Sequence, residues 1–362
     1  MKKIFLIIFA LLTLVLNVHA NENIEPEILQ SQLGLVTNIE YIDLTGNDTV
    51  QTKQNAEVEL LKGNLKGSKV LVENILSGNP YYDIKLKKGT KIILHVEDDG
   101  DGLNFSIADI YRAPTLWWLS LLFCGLLIYV GKKKGAYSLV SIVFTCGLIY
   151  YCLSPLILYG ANPIVATVII CLISTALTMY LVGGFNKKST SATLGCILSL
   201  VFASLLSYIS VKTASITGFS NENCMFLFSA HPELDFIGIA ISSIILATLG
   251  AVMDVGMSIA STINEIYTLD NSKTIKELFN SGMNVGRDII GTMANTLILV
   301  YFGGSLPLIL LSSNIDWQKF ANLNQVVTEI VAALIGSSAI IICVPITAIV
   351  TAKLIRNTKK TN

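Results

Sequence analysis

One aspartate within a long apolar stretch is the residue of this sequence that is best suited to chemistry. Asp254 lies in the run 249–258, whose other members are apolar or small. A carboxylate in hydrocarbon is costly, and in membrane proteins it usually faces other protein or water, often along a path for ions or protons. At helical spacing Asp254 shares one face with four other residues, which are Gly250, Ser258, Ser261 and Glu265.

The next apolar stretch carries a second polar face. Its members are spaced by four, three and four residues and are Asn284, Asp288, Gly291 and Asn295, with Arg287 beside them. If the two helices pack as an antiparallel hairpin, Asp254 comes level with Asn295. Glu265 then comes level with Asn284 and Arg287. We therefore predict a polar seam that runs inward from the middle of the membrane. Four glycines would permit close approach of the helices, namely Gly250, Gly256, Gly286 and Gly291.

Two interpretations of the predicted seam are open. In the first, it is a path for ions or protons in which Asp254 changes its protonation state. In the second, it is a static, hydrogen-bonded contact between two helices, with Arg287 and Asp288 at the membrane interface. The dipole of a helix N-terminus is sufficient to explain Asp288.

The elements that carry these faces are expected to cross a membrane. Hydrophobic residues make up 52% of the 362 residues and charged residues only 14%, whereas a soluble domain has about 25% charged residues. The lipid bilayer is the expected surrounding of the chain after Pro114, and the formal net charge of +0 argues against a nucleic-acid partner. Seven apolar blocks are long enough to span, at 115–130, 136–158, 163–182, 192–211, 234–256, 289–311 and 326–352.

The residues before the apolar blocks predict export. Lys2 and Lys3 precede the short apolar run 4–18, and cleavage is expected after Ala20, as in a secretory signal peptide, unless the run is an uncleaved anchor. Short strand candidates with glycine-containing breakers follow, at 58–60, 69–73, 83–87 and 91–96, and predict a small antiparallel barrel or sandwich. The predicted domains are the signal or anchor 1–20, an extracytoplasmic all-β domain 21–112, a transmembrane helical bundle 113–356 and a cytoplasmic tail 357–362.

Charge predicts the orientation of the bundle. Basic residues concentrate on one side of the predicted spans, at 132–134, 187–188, 273–287 and 353–360. Such loops remain in the cytoplasm. The C-terminus is therefore expected inside and the β domain outside, in agreement with the signal.

An enzyme is not expected. The sequence has no HExxH motif, its cysteines lack metal-ligand spacing, and no Ser/His pair lies at a shared depth in the spans. We accordingly predict no catalytic residue, no metal and no cofactor.

The residues of the two polar faces also carry a family resemblance. The segments DVGMSIAS from Asp254, SGMNVGRDI from Ser281, GTMANTLIL from Gly291 and GGSLPL from Gly303 resemble the signature region of the YibE/F family. With its exported domain, the chain is more similar to the YibE type. The resemblance implies a bacterial, multi-pass plasma-membrane protein and a heteromeric partner of the YibF type.

Two functions are consistent with these features. The first is a transporter, or a subunit of a transport complex, with an ion path around Asp254. The alternative is a membrane scaffold or receptor that does not transport and uses the exported β domain to bind a partner. The substrate is not specified by the sequence.

Overall fold

The computed structural model describes residues 31–44, 51–63, 65–98 and 103–356, so the predicted signal segment and cytoplasmic tail lie outside the described residues. Two compact units are present, one containing the strands and one containing the helices after Leu127.

Five antiparallel strands form the first unit, which confirms the predicted β-rich region. They are β1 Gln32–Leu44, β2 Gln51–Leu60, β3 Lys69–Leu76, β4 Lys91–Asp98 and β5 Leu103–Ile110. Their order is β3-β2-β1-β4-β5, and the edge strands β3 and β5 lie close together, so the sheet nearly closes into a barrel. Alternate residues of adjacent strands, such as Val36 and Val58, face each other in its core.

The candidate strand at 83–87 is not a strand, because side chains rather than a neighbouring strand satisfy its backbone. Gln54 of β2 is buried, and its Oε1 accepts hydrogen bonds from the Leu86 amide (3.2 Å) and from Asn74 Nδ2 (2.9 Å). Its Nε2 donates to the Leu86 carbonyl (3.4 Å), and Asn74 Nδ2 also donates to the Ile84 carbonyl (2.7 Å). Two amide side chains thus attach this segment to the sheet.

Gln54→Leu is expected to loosen this segment. The substitution leaves the buried Leu86 amide without its acceptor, which costs about 1–3 kcal/mol. Hydrogen–deuterium exchange of the full chain should show faster exchange at 84–86 and in β2. Lys85→Leu, at an exposed neighbouring position, adds the same side chain and should leave exchange unchanged. Equal exchange in wild type and Gln54→Leu would show that the segment is held by other contacts.

The second unit is helical. The first helix begins at Ala113, before the boundary of this unit at Leu127. The helices are α1 Ala113–Leu148, α2 Ser154–Leu158, α3 Pro163–Gly183, α4 Lys187–Thr213, α5 Glu222–Ala230, α6 Phe236–Leu269, α7 Ile275–Gly304, α8 Leu306–Leu311, α9 Trp317–Ala321 and α10 Asn324–Arg356. Among the described residues, five helical segments are long and apolar enough to cross a membrane. The bent pair formed by Ile275–Gly304 and Leu306–Asn314, with an angle of 64°, would make a sixth.

The first of these segments, Ala113–Leu158, contains a sharp break. Lys132 has φ 50° and ψ −130°, which no α-helix contains. A Cβ added to Gly135 would collide with the carbonyl oxygen of Leu127. In a straight helix these residues would lie about 12 Å apart along the axis, so the chain must turn back near Lys132. The turn separates the predicted blocks 115–130 and 136–158.

Helices α4, α6 and α10 form the centre of the bundle and approach one another at glycines. A Cβ added to Gly195 of α4 would lie 3.0 Å from Cα of Thr347 in α10 and 2.9 Å from its Cβ. A Cβ on Gly256 of α6 would collide with Cys196 Sγ. These contacts require glycine because the backbones are too close for a side chain.

Helix contacts also bring the basic residues together. Ser191 of α4 accepts a hydrogen bond from Thr351 of α10 (3.0 Å). A Cβ on Gly282 of α7 would contact Ile263 of α6 and Ala348 of α10. One end of the bundle therefore carries the basic residues of four helices or their flanking loops, which are Lys187, Lys188, Lys273, Lys276, Lys353 and Arg356.

Candidate functional site

Helix α6 has a buried side and a polar, uncovered side. Val252, Val255 and Ile259 are at most 1% exposed and belong to the bundle core. The predicted polar residues lie away from this core. They form what we call the α6 stripe, which consists of the exposed Gly250, Asp254, Ser258 and Glu265 and the half-buried Ser261.

The α6 stripe lies between α3 and α7. On one flank, Met257 Cε would be 2.8 Å from a Cβ added to Gly183 at the end of α3. On the other flank, Ile259 lies against Gly286 of α7, with its Cδ1 3.3 Å from an added Cβ. Because residues turn by about 100° each around a helix axis, the stripe occupies the sector between these two contacts that does not face the core.

Asp254 has no hydrogen-bond or ion-pair partner within the part of the chain that the structure describes, although it is close enough to the Cys196 thiol to interact electrostatically with it. Two nearby threonine hydroxyl groups of α6 are engaged elsewhere, since Thr262 donates to the Ser258 carbonyl and Thr248 donates to the Ile244 carbonyl. An apolar helix therefore carries a carboxylate that no described residue pairs with through a hydrogen bond or an ion pair.

Helix α7 is polar on its outer side. We call this the α7 stripe, and it consists of the exposed residues Asn284, Asp288, Gly291 and Asn295. Gly282 and Gly286, on the opposite side of the helix, pack against α6 and α10. Arg287 Nη1 donates to Asn284 Oδ1 (3.0 Å), whereas no described residue bonds to the Asp288 carboxylate.

The contacts between α6 and α7 correct the predicted depth of these residues. Ile263 of α6 contacts Gly282 of α7, and Ile259 contacts Gly286. The helices are antiparallel, so a step of one residue back along α6 corresponds to a step of one residue forward along α7. Continued along both helices, this register puts Asp254 level with Gly291 rather than with Asn295, about one helical turn away. It also puts Glu265 nearer Asn280 than Asn284.

The two stripes do not face each other within one chain. The helices meet through isoleucines packed on glycines, and this apolar contact leaves the polar groups outside. Seven of the eight residues predicted for the path are exposed and Ser261 is half-buried, but α6 and α7 alone do not form the predicted hairpin seam. Their role in an ion path stays a prediction.

The comparisons with known proteins agree with the resemblance in the sequence. Residues 119–357 match the model of the YibE/F-like protein family, and residues 28–110 match that of the YibE/F family N-terminal domain. The chain belongs to the YibE/F family. No curated protein and no solved structure matches it significantly. Family membership together with several long apolar helices indicates a membrane protein.

The YibE/F region of the chain also contains a carboxylate within an apolar helix that the sequence reasoning missed. Glu329 lies in the apolar helix α10, is half-buried, and is close enough to Tyr301 of α7 to interact electrostatically with it. A lone Glu within the apolar block 326–352 was the signal that could have revealed it.

A pair of thiols lies in the core of the YibE/F helices. Cys196 of α4 and Cys343 of α10 are fully buried, and their sulfur atoms lie 3.4 and 3.6 Å from the same acceptor, the Val252 carbonyl oxygen. The close packing of α6 against α4 and α10 explains why the two thiols lie together, because both sulfur atoms lie against Gly256 of α6. Within the described ranges, no cluster of three or more His, Cys, Asp or Glu side chains could hold a metal ion.

Proposed function

We propose that this YibE/F protein is a multi-pass subunit of a transport complex in the bacterial plasma membrane, with Asp254 on the path of a proton or cation. The observation that carries the proposal is the Asp254 carboxylate, which bonds to no described residue and lies on the uncovered stripe of an apolar helix. Exposure of this charge to lipid would be costly, so water or another polypeptide must face it.

In the proposed arrangement the chain crosses the membrane seven times. Ala113–Leu158 crosses twice by turning at Lys132, and α7 with the segment to Asn314 forms one bent crossing. The end of the bundle that gathers the basic residues faces the cytoplasm. A segment that acts as signal or anchor exports the β-rich region, and this region lies outside the cell.

A neighbouring chain completes the path. The α6 stripe has α3 on one flank and α7 on the other, so a helix from another chain that packs along it would enclose Asp254 with Ser258 and Ser261. The YibF-type partner implied by the family resemblance is the proposed source of this helix. Polar side chains enclosed between helices can hold the water that proton or cation transfer requires.

Flux measurements test the proposal. The purified chain is reconstituted into liposomes, alone and together with a YibF-type relative, and a proton or cation gradient is imposed. We expect flux above that of empty liposomes, and more with the partner than without it. Absence of flux under every gradient and partner condition would refute transport.

A scaffold or receptor is the second candidate, and one feature of the β-rich region favours it. Leu71 and Ile75 lie on the edge strand β3 and are 67% and 58% exposed, and Tyr81 and Tyr82 nearby are more than 70% exposed. Exposed apolar side chains along an edge strand are suited to contact with another protein. If no flux is found, binding of an envelope protein that is lost in Leu71→Lys with Ile75→Lys would support this candidate.

A further inference from the structure

The α7 stripe carries a polar surface from Asn284 and Asp288, just before the apolar block 289–311, into the block at Asn295. Asn284, Asp288, Gly291 and Asn295 are exposed over three turns, while the opposite side of α7 packs on α6 and α10. Lipid offers no hydrogen bonds to amide or carboxylate groups. A membrane helix with this surface therefore needs a protein that matches its polar groups at each depth.

We propose that a second copy of this chain covers the α7 stripe, with the two α7 helices parallel and related by a two-fold axis along the membrane normal. The proposal rests on the membrane placement proposed above. It concerns the outer side of α7, and the α6 stripe around Asp254 stays available for a different partner.

The charges of the α7 stripe complement themselves under this symmetry. In a parallel pair each residue lies at the same depth as its counterpart, and Arg287 and Asp288 differ in depth by only about 1.5 Å. They lie on opposite flanks of the stripe, so rotation by 180° brings Arg287 of one copy to the same side of the contact as Asp288 of the other. Each copy thus supplies the cation that the other copy's unpartnered Asp288 lacks.

The uncharged positions fit the same arrangement. Asn carries both a donor and an acceptor, so Asn284 and Asn295 can each pair with their own counterparts across the axis. Between them lies Gly291, where an added Cβ would meet nothing within 4 Å. A small residue at the centre of the stripe allows the two backbones to approach closely. No group of the stripe then requires a chemically different partner.

Charge reversal gives a sharp test, because the contact is reciprocal. Asp288→Arg leaves two positive charges at positions 287 and 288, and Arg287→Asp leaves two negative charges there, so neither variant should pair with itself. When the two variants are co-expressed, each cation again meets an anion and mixed dimers should form. The full-length chain is expressed with two different tags, purified through both in mild detergent, and its mass is measured by native mass spectrometry. Lys353→Asp, a charge reversal at an exposed position of α10, is the control.

We expect wild type and Lys353→Asp to purify as dimers, each reversal to weaken self-association about tenfold, and the co-expressed reversals to restore it. Wild type that is monomeric, dimers that survive both reversals, or a mixture of reversals that fails to pair would overturn the proposal. A chain that binds a YibF-type relative but not itself would also overturn it. If the wild-type chain is dimeric but shows no flux, the proposed transport function alone is refuted. If it is monomeric and shows flux, the proposed dimer alone is refuted.

Discussion

Replacement of Asp254 by Asn is expected to reduce flux in reconstituted liposomes to the level of empty liposomes. Asn has nearly the same shape but neither carries a charge nor exchanges a proton at neutral pH, so a path that depends on the carboxylate is interrupted. Folding should be unaffected, because Asp254 bonds to no described residue and its removal leaves no partner unsatisfied. Asp254→Glu retains a carboxylate and should retain part of the flux.

The control for Asp254→Asn is the same substitution at Asp270, just after the end of α6. Asp270 is exposed just after α6, where it accepts hydrogen bonds from the Ser272 amide and hydroxyl. Asp270→Asn should leave flux at the wild-type level. Size-exclusion chromatography of each variant checks that the amount and dispersity of the protein are unchanged. Wild-type flux through Asp254→Asn would exclude this carboxylate from the path.

The second large effect is expected from Gly195→Ala, which should destabilise the helical unit by about 1–3 kcal/mol. A Cβ at this position would collide with Thr347 Oγ1 and would lie 2.9 Å from its Cβ and 3.0 Å from its Cα. The backbone of α10 cannot yield as a flexible side chain would, so α4 and α10 must separate. This separation also loosens Cys196 and Cys343, which contact the Val252 carbonyl of α6 in the same layer.

Gly250→Ala is the matched control for this effect. It makes the same change in an interior helical position, but an added Cβ there meets nothing within 4 Å. Ala is favoured over Gly in helices by about 1 kcal/mol. This variant should therefore unfold at the same concentration of denaturing detergent as wild type or at a higher one. Unfolding in a denaturing-detergent titration measures both variants. Equal stability of the two would mean that the α4–α10 contact adjusts without cost.

Several features of the protein could be predicted from the sequence because they depend on composition and short-range pattern. Alternating residues between glycine-containing turns predicted the β-rich region, and most strand candidates lie within β2, β3 and β4. The segment 83–87 was the exception, since a side chain of β2, Gln54, occupies its backbone groups. Such a contact between distant residues leaves no local pattern.

The sequence by itself determined that apolar helices make up most of the chain, that Asp254 and the α7 stripe are polar faces within them, and that the chain is of the YibE/F family. These properties follow from residue types and spacing along one helix. Only the tertiary structure decided which way the faces point. Five helices compete for the core, and the fit of Ile259 and Ile263 onto Gly286 and Gly282 turned both polar stripes outward and set the register between α6 and α7. Such an outcome depends on the packing of all the helices together, which no single segment encodes.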